Sequence, residues 1–398
     1  MPYSLTTLTS RNEFNLSELD FASTLNFYNA INACHTYSTK VNFQKAKQVL
    51  KMQNLNFVNL IQAGMISTGI LGGLLLWLTK TSEFKGISAL LFCIALASFV
   101  NILEESGLTR EIYLISPVFI MLFGPVTYLA AKLLIDKKLD RVQWLHLVPV
   151  IPFLMLTSYT YAIIGIGTLW RLAYALLTIL MLLKYKRILD EERSDSDDFS
   201  LNWLVWVIAV TSVFNIIDLV RLNVQPFIPY GLNVFGQGIN SAVWLITTTV
   251  IIIKFQKLKQ IPQSLDNASD TDVQSSAIAN STSTNEAYKS IFQELDKLIT
   301  SNQWFLQSRL TLSDISNLTG LQTRDISRSI NVITGKSFNE YINNYRVEYV
   351  CALLKSKAQK SLSDIAAEAG FSSKASFNKV FKQISGVTPT EYKSPNEV

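Results

Sequence analysis

The apolar positions of this chain fall into three regimes. Between residues 57 and 255 they crowd into seven segments, approximately 57–78, 86–103, 112–135, 144–161, 163–183, 201–222 and 230–253. Most reach or approach the ~20 residues with which a helix crosses a bilayer core. Pro117, Pro125, Pro149 and Pro152 lie inside these segments, where a membrane bundle tolerates them as kinks. The fourth and fifth segments are joined with almost no loop. Residues 258–285 form a second regime, rich in Ser, Thr, Asn, Asp, Gln and Ala; this is the composition of a flexible linker. Residues 286–398 form the third, in which Tyr288, Ile291, Phe292, Leu295, Leu298 and Ile299 open with helical spacing. Residues 1–56 are polar and mixed. They show no charged stretch leading into an apolar core, so no signal peptide is expected, and their status is open because Met1 and Met52 are both candidate starts.

The third regime contains one pattern twice. Leu312-Ser313-Asp314-Ile315 returns as Leu362-Ser363-Asp364-Ile365. Each copy continues as a short helix to a glycine, Gly320 or Gly370, and then to a second helix. This predicts two helix-turn-helix units, with glycine where the chain reverses tightly. In the first unit Ile326, Ile330 and Ile333 make the inward stripe and leave Arg324, Ser327 and Arg328 outside. In the second, Phe377, Val380, Phe381 and Ile384 face in, and Lys374, Asn378, Lys379 and Lys382 face out. Ser373 has the character of an N-cap. Between the copies, Phe338, Tyr341, Ile342, Tyr345, Tyr349, Leu353 and Leu354 predict one long helix that holds the two units apart. Two recognition helices held in this way fit successive major-groove segments, about 34 Å apart.

Ser337-Phe338, Tyr341-Ile342-Asn343 and Tyr345-Arg346-Val347 resemble the DNA-binding domain of the AraC family of bacterial transcription regulators. So do Ser363-Asp364-Ile365-Ala366, Gly370-Phe371, Ser376-Phe377-Asn378, Phe381-Lys382, Gly386 and Thr388-Pro389-Thr390-Glu391-Tyr392. The resemblance covers roughly the last hundred residues. It implies double-stranded promoter DNA as partner, contact with RNA polymerase and homodimerisation. Arg324, Ser327, Arg328, Ser373, Lys374, Asn378 and Lys379 are the expected DNA contacts. Arginine reads guanine edges, asparagine reads adenine, and lysine and serine also serve the phosphates.

Composition sharpens this picture. The 398 residues are 49% hydrophobic and only 16% charged, which fits a chain that meets a lipid bilayer. Residues 286–398 carry 14 Lys and Arg against 11 Asp and Glu, a net of +3, so DNA binding has to come from where the cations stand. Three scattered cysteines and two histidines make no metal or catalytic set; no cofactor and no enzymatic activity are expected. Lys80, Lys85, Lys137, Lys138, Arg141, Lys184, Lys186, Arg187 and Arg193 fill the odd loops, and Lys254, Lys257 and Lys259 follow the last segment. Those loops and the C-terminal domain are therefore expected in the bacterial cytoplasm. Seven spans then put the N-terminus outside, against which Lys40, Lys45, Lys47 and Lys51 are discordant.

The expected fold is all-α: a membrane bundle of about seven spans at 57–257, the linker, and a cytoplasmic domain with two helix-turn-helix motifs. Glu104, Glu105, Arg171, Asp218, Arg221, Asn233, Gln237 and Asn240 all map to the outward ends of their segments. An arginine inside a span costs about 2.5–3.5 kcal/mol on insertion scales, so it faces a partner or a wet cavity. These eight residues are the candidate sensor pocket for an extracytoplasmic signal, with Arg171 as its anion-binding or carboxylate-pairing centre. A plain Arg171–Asp218 bridge is the structural alternative, and Asp218 and Arg221 have the i, i+3 spacing for a local pair. The leading reading is a one-component membrane regulator. The runner-up is an integral-membrane enzyme or transporter with a regulatory DNA-binding tail; a ligand-free membrane anchor is a third.

Overall fold

A computed structural model describes residues 57–79, 82–106, 109, 113–258, 282–356 and 360–393. The N-terminal extension with Lys40 to Lys51 and both candidate starts lies outside the described residues, as does most of the expected linker. From Asn59 onward the chain forms one unit. The described residues are helical, with one isolated antiparallel bridge between Arg193 and Thr311.

Among the described residues, six helices are long and apolar enough to cross a membrane. They are α1 (Phe57–Trp77), α2 (Lys85–Glu105), α3 (Ser116–Asp136), α5 (Thr160–Glu192), α6 (Asn202–Val224) and α7 (Tyr230–Lys257). The expected fourth span is not a long helix. It is a 3-10 turn (Arg141–Leu147), the short α4 (Val150–Met155) and a second 3-10 turn (Thr157–Tyr159). Pro149 and Pro152 explain the break: neither has an amide to donate, and each ring crowds the preceding turn. The bonds left are short-range ones, such as Ile151 N to Val148 O at 3.1 Å and Leu156 N to Phe153 O at 3.2 Å.

This broken segment still carries the chain from one end of the bundle to the other. Ile120 packs on Gly167, and Gly124 on the backbone of Arg171 and the side chain of Tyr174. Residue numbers rise together along both helices, so α3 and α5 are parallel. Parallel neighbours need a crossover. His146 bonds to the Tyr174 hydroxyl at 2.7 Å, and Val150 packs with Val118 and Met121, so the segment runs antiparallel to α3. A 3-10 turn rises about 2.0 Å per residue against 1.5 Å in an α-helix. The loosened segment therefore covers the height of the bundle in few residues.

The same register orders the two ends. Phe84 beside α2, Phe255 of α7 and Trp203 of α6 form a ring cluster at one end, with centroids 5.7 and 5.3 Å apart. Lys137 pairs with Glu83 at the same end, at 3.2 Å. Helix α5 continues past residue 183, where its apolar run stops, to Glu192.

The C-terminal domain is built on α8 (Thr282–Ser301), α9 (Leu312–Thr319), α10 (Thr323–Thr334), α11 (Phe338–Lys355), α12 (Leu362–Glu368), α13 (Lys374–Ser385) and α14 (Pro389–Lys393). Helix α11 is the expected long connector and serves two cores. Its first half gives Phe338, Tyr341 and Ile342 to a core with Leu295, Ile315, Ile326 and Ile330. Its second half gives Val347, Val350 and Leu354 to one with Ile365, Phe371, Phe377 and Phe381. Ser337 and Glu340 close a capping box at its start.

Candidate nucleic-acid interface and polar pocket

Both helix-turn-helix units form from local chemistry. Thr311 caps α9, accepting from the Asp314 amide at 3.1 Å, and Asp314 returns a bond to the Thr311 amide at 2.8 Å. Ser361 caps α12, accepting from the Asp364 amide at 3.1 Å. Gly320 and Gly370 take φ of +73° and +83°, which glycine adopts without steric cost. Gly370 also faces the Leu306 carbonyl so closely that a Cβ would sit 2.5 Å from its oxygen. Ser373 is the N-cap of α13, accepting from the Ser376 amide at 3.1 Å.

The recognition helices α10 and α13 bury shorter stripes than their periodicity suggested. Ile326 and Ile330 are fully buried, but Ile333 is 39% exposed; Phe377, Val380 and Phe381 are buried, but Ile384 is 38% exposed. Neither Ile333 nor Ile384 belongs to the core on which its helix packs. Arg324, Lys374, Asn378 and Lys379 are exposed, and Ser327, Arg328 and Ser373 half-buried.

Arg346 had no role beyond its place in the sequence pattern. It is fully buried, donating from Nε to the Phe305 carbonyl at 2.7 Å and from Nη2 to the Gln307 carbonyl at 2.8 Å. It ties the stretch before α9 onto α11. Burial pushes its guanidinium down to about 10, with Asp195 drawing it back up.

The sequence reading used the fifth loop only for its cations and missed its acids. Residues 190–198 read Asp-Glu-Glu-Arg-Ser-Asp-Ser-Asp-Asp. This segment lies against both recognition helices. Ser327 donates to Glu191 Oε2 at 3.1 Å, and Asn331 Nδ2 to Glu191 Oε1 at 3.2 Å. Ser372 and Ser373 both donate to Asp198, the latter at 2.7 Å. Lys379 pairs with Asp197 at 2.7 Å. The middle of the segment is wedged in: Asn339 and Asn343 donate to the Ser194 carbonyl at 2.8 and 3.1 Å, and Arg346 Nη2 to its hydroxyl at 3.1 Å. The Ser194 amide donates to Leu310 O at 3.0 Å. The signal that would have found it is the net charge of −5 over nine residues.

The polar residues at the other end of the bundle surround a cavity of about 300 Å³. Of the eight candidates, Arg171, Asp218, Arg221, Gln237 and Asn240 line it; Glu104, Glu105 and Asn233 do not. Arg171 lies against a stacked pair of rings, 5.1 Å from the centre of Phe123 and 4.6 Å from that of Trp244. It forms no ion pair among the described residues. Asp218 pairs instead with Arg221 on its own helix, at 2.8 Å, so the alternative Arg171–Asp218 bridge is not formed. Arg221 also donates to Asn233, and Gln237 to Glu105. Glu104 is a cap, accepting from the amides of Ile115 and Ser116 at 2.6 and 2.9 Å. Gln62, which the sequence reading passed over, lines the cavity at 2% exposure. Its Oε1 and the Oδ1 of Asn240 are buried acceptors with no donor among the described residues.

A family described as a helix-turn-helix domain matches residues 315–394. An uncharacterized HTH-type transcriptional regulator of Staphylococcus aureus (strain COL) is 32% identical over 84 residues, which is 21% of this chain and 11% of that one. The HTH-type transcriptional activator RhaR of Yersinia pseudotuberculosis (serotype O:1b) is 28% identical over 101 residues, 25% of this chain and 34% of that protein. The chain thus spans a minor part of these relatives, about a tenth and a third of their lengths. No solved structure matches it.

Proposed function

We propose, from the AraC-type DNA-binding domain at residues 315–394, that this chain is a membrane-embedded one-component transcription regulator. The domain binds double-stranded promoter DNA through α10 and α13. Arg324, Ser327, Arg328, Ser373, Lys374, Asn378 and Lys379 make the contacts, and the bundle is the sensor that controls them. RNA polymerase contact and homodimerisation are part of this reading, on the family resemblance alone.

The observation that carries the membrane half is the outer surface of the bundle. Leu71, Leu169, Trp206, Phe235 and Ile246 are each more than 60% exposed, on four different helices. In water such a surface is an aggregation hazard; in a bilayer it faces lipid. Lys and Arg in the odd loops support a cytoplasmic DNA-binding domain and a cavity on the outer side. The signal is a small solute with a carboxylate or phosphate for Arg171 and hydrogen-bond donors for Gln62 and Asn240.

Cell fractionation followed by genome-wide DNA capture with the full chain tests both halves. The chain is expected in the membrane fraction and on discrete promoter sites. Recovery in the soluble fraction would remove the membrane half, and DNA recovered without site preference would remove the regulator.

A further inference from the structure

The acidic segment at residues 190–198 occupies the surface that the proposed function gives to DNA. Its carboxylates are not scattered over the domain. Glu191 takes the α10 hydroxyl and amide at Ser327 and Asn331, and Asp197 takes the α13 ammonium of Lys379. Asp198 takes the two hydroxyls that open α13. That last place is a helix N-terminus, where unpaired amides and the helix dipole favour an anion, and where a DNA phosphate is commonly held. The segment therefore presents anionic oxygens to both units at once, as a DNA backbone does.

Two further observations make this more than a surface contact. Ser194, Asp195 and Ser196 are at most 2% exposed, so the segment is embedded in the domain. And its polar backbone is satisfied by residues of the domain's own connector, Asn339 and Asn343, with Arg346 on the Ser194 hydroxyl. Asp197 also pairs with Lys186 of α5 at 3.4 Å, while Lys379 stays half exposed, so its hold on Lys379 is one that a competing anion can replace. A phosphate cannot take Ser373 and Lys379 while Asp198 and Asp197 hold them, and the nearby carboxylates repel the rest of the duplex.

We propose that residues 190–198 are a built-in competitor for DNA: docked, they hold both recognition helices in a DNA-free state, and their release licenses binding. This rests on the reading that α10 and α13 contact DNA. It adds that the bundle controls transcription by holding or releasing this segment, not merely by tethering the domain to the membrane.

The test uses the full chain in lipid nanodiscs and a duplex selected from a random-sequence pool by the Asp197→Asn/Asp198→Asn variant. Asp136→Asn/Asp140→Asn is the control; it removes the same charge from the same end of the bundle without touching the domain. A domain that is free only about a tenth of the time binds about tenfold more weakly than a freed one. The Asp197/Asp198 variant is therefore expected to bind about tenfold tighter than wild type, and the control within about twofold of it. In the wild-type chain, adding the duplex is expected to raise amide deuterium uptake across residues 190–198. Equal affinity of wild type and variant, or an equal gain in the control, overturns the competitor while leaving DNA binding intact. Weaker binding by the variant overturns it too, since the segment would then support the complex. If neither chain selects a duplex, the DNA reading of the two faces fails and the competitor falls with it.

Discussion

Gly320 and Gly370 occupy equivalent turns but make different demands. Both have positive φ, so an alanine at either pays for a left-handed backbone, about 1–2 kcal/mol. Around Gly320 there is open space, whereas at Gly370 the new methyl would meet the Leu306 carbonyl. Thermal unfolding of the C-terminal domain should therefore show Gly370→Ala as clearly the more damaging change; equal losses would mean the close approach is absent. For DNA contact, Arg324→Ala or Lys374→Ala is expected to weaken specific binding by about 1–3 kcal/mol if the side chain reads a base. Titration at fixed salt measures this, and an unchanged affinity in both would withdraw the assignment. At this scale the sequence was readable where chemistry is local. The glycine turns and the Ser373 cap follow from two or three neighbours. Ile333 and Ile384 were misplaced because periodicity marks a face of the helix and does not say how far along it the opposing core extends. Arg346 was opaque because its acceptors, the carbonyls of Phe305 and Gln307, are distant in sequence.

Among the elements, the fourth apolar segment separates composition from conformation. Its hydropathy marked a span, and the parallel register of α3 and α5 requires a crossing, but the hydrogen-bond pattern inside it is set by Pro149 and Pro152. Reporter fusions after Arg141 and after Thr160 are expected on opposite sides of the membrane. The same side for both would reduce the segment to a surface loop. The polar end of α5 was equally hidden, because a hydropathy pattern stops at the last apolar residue while the helix runs on to Glu192. The caps predict their own cost. Thr311→Ala, which removes the hydroxyl that accepts from the Asp314 amide, is expected to cost about 1 kcal/mol of domain stability, read from denaturant unfolding.

Across the whole molecule, the division into an apolar bundle and a two-unit helical domain was legible from the distribution of apolar residues. The joining of the two was not. It depends on side chains more than a hundred positions apart, such as Glu191 with Ser327 and Asp198 with Ser373. At the opposite end of the bundle, Arg171 beside its stacked rings gives a matching test. Because Asp218 already pairs with Arg221, exchanging Arg171 and Asp218 is expected to abolish signal-dependent transcription, not restore a bridge. A reporter that keeps its response in the exchanged chain would remove Arg171 from the pocket reading.

Helix α5 links these two ends in a single piece. Arg171 and Glu191 lie on one unbroken 33-residue helix, twenty positions apart and so about 30 Å along its axis. A rod of that length magnifies rotation. Each degree of tilt pivoting at Arg171 moves the carboxylate at the far end by about 0.5 Å, and about 5° carries it some 2.6 Å, well beyond the slack of a hydrogen bond. A solute too small to displace any helix by more than a few degrees thus has enough reach, through α5 alone, to lift Glu191 off Ser327 and Asn331.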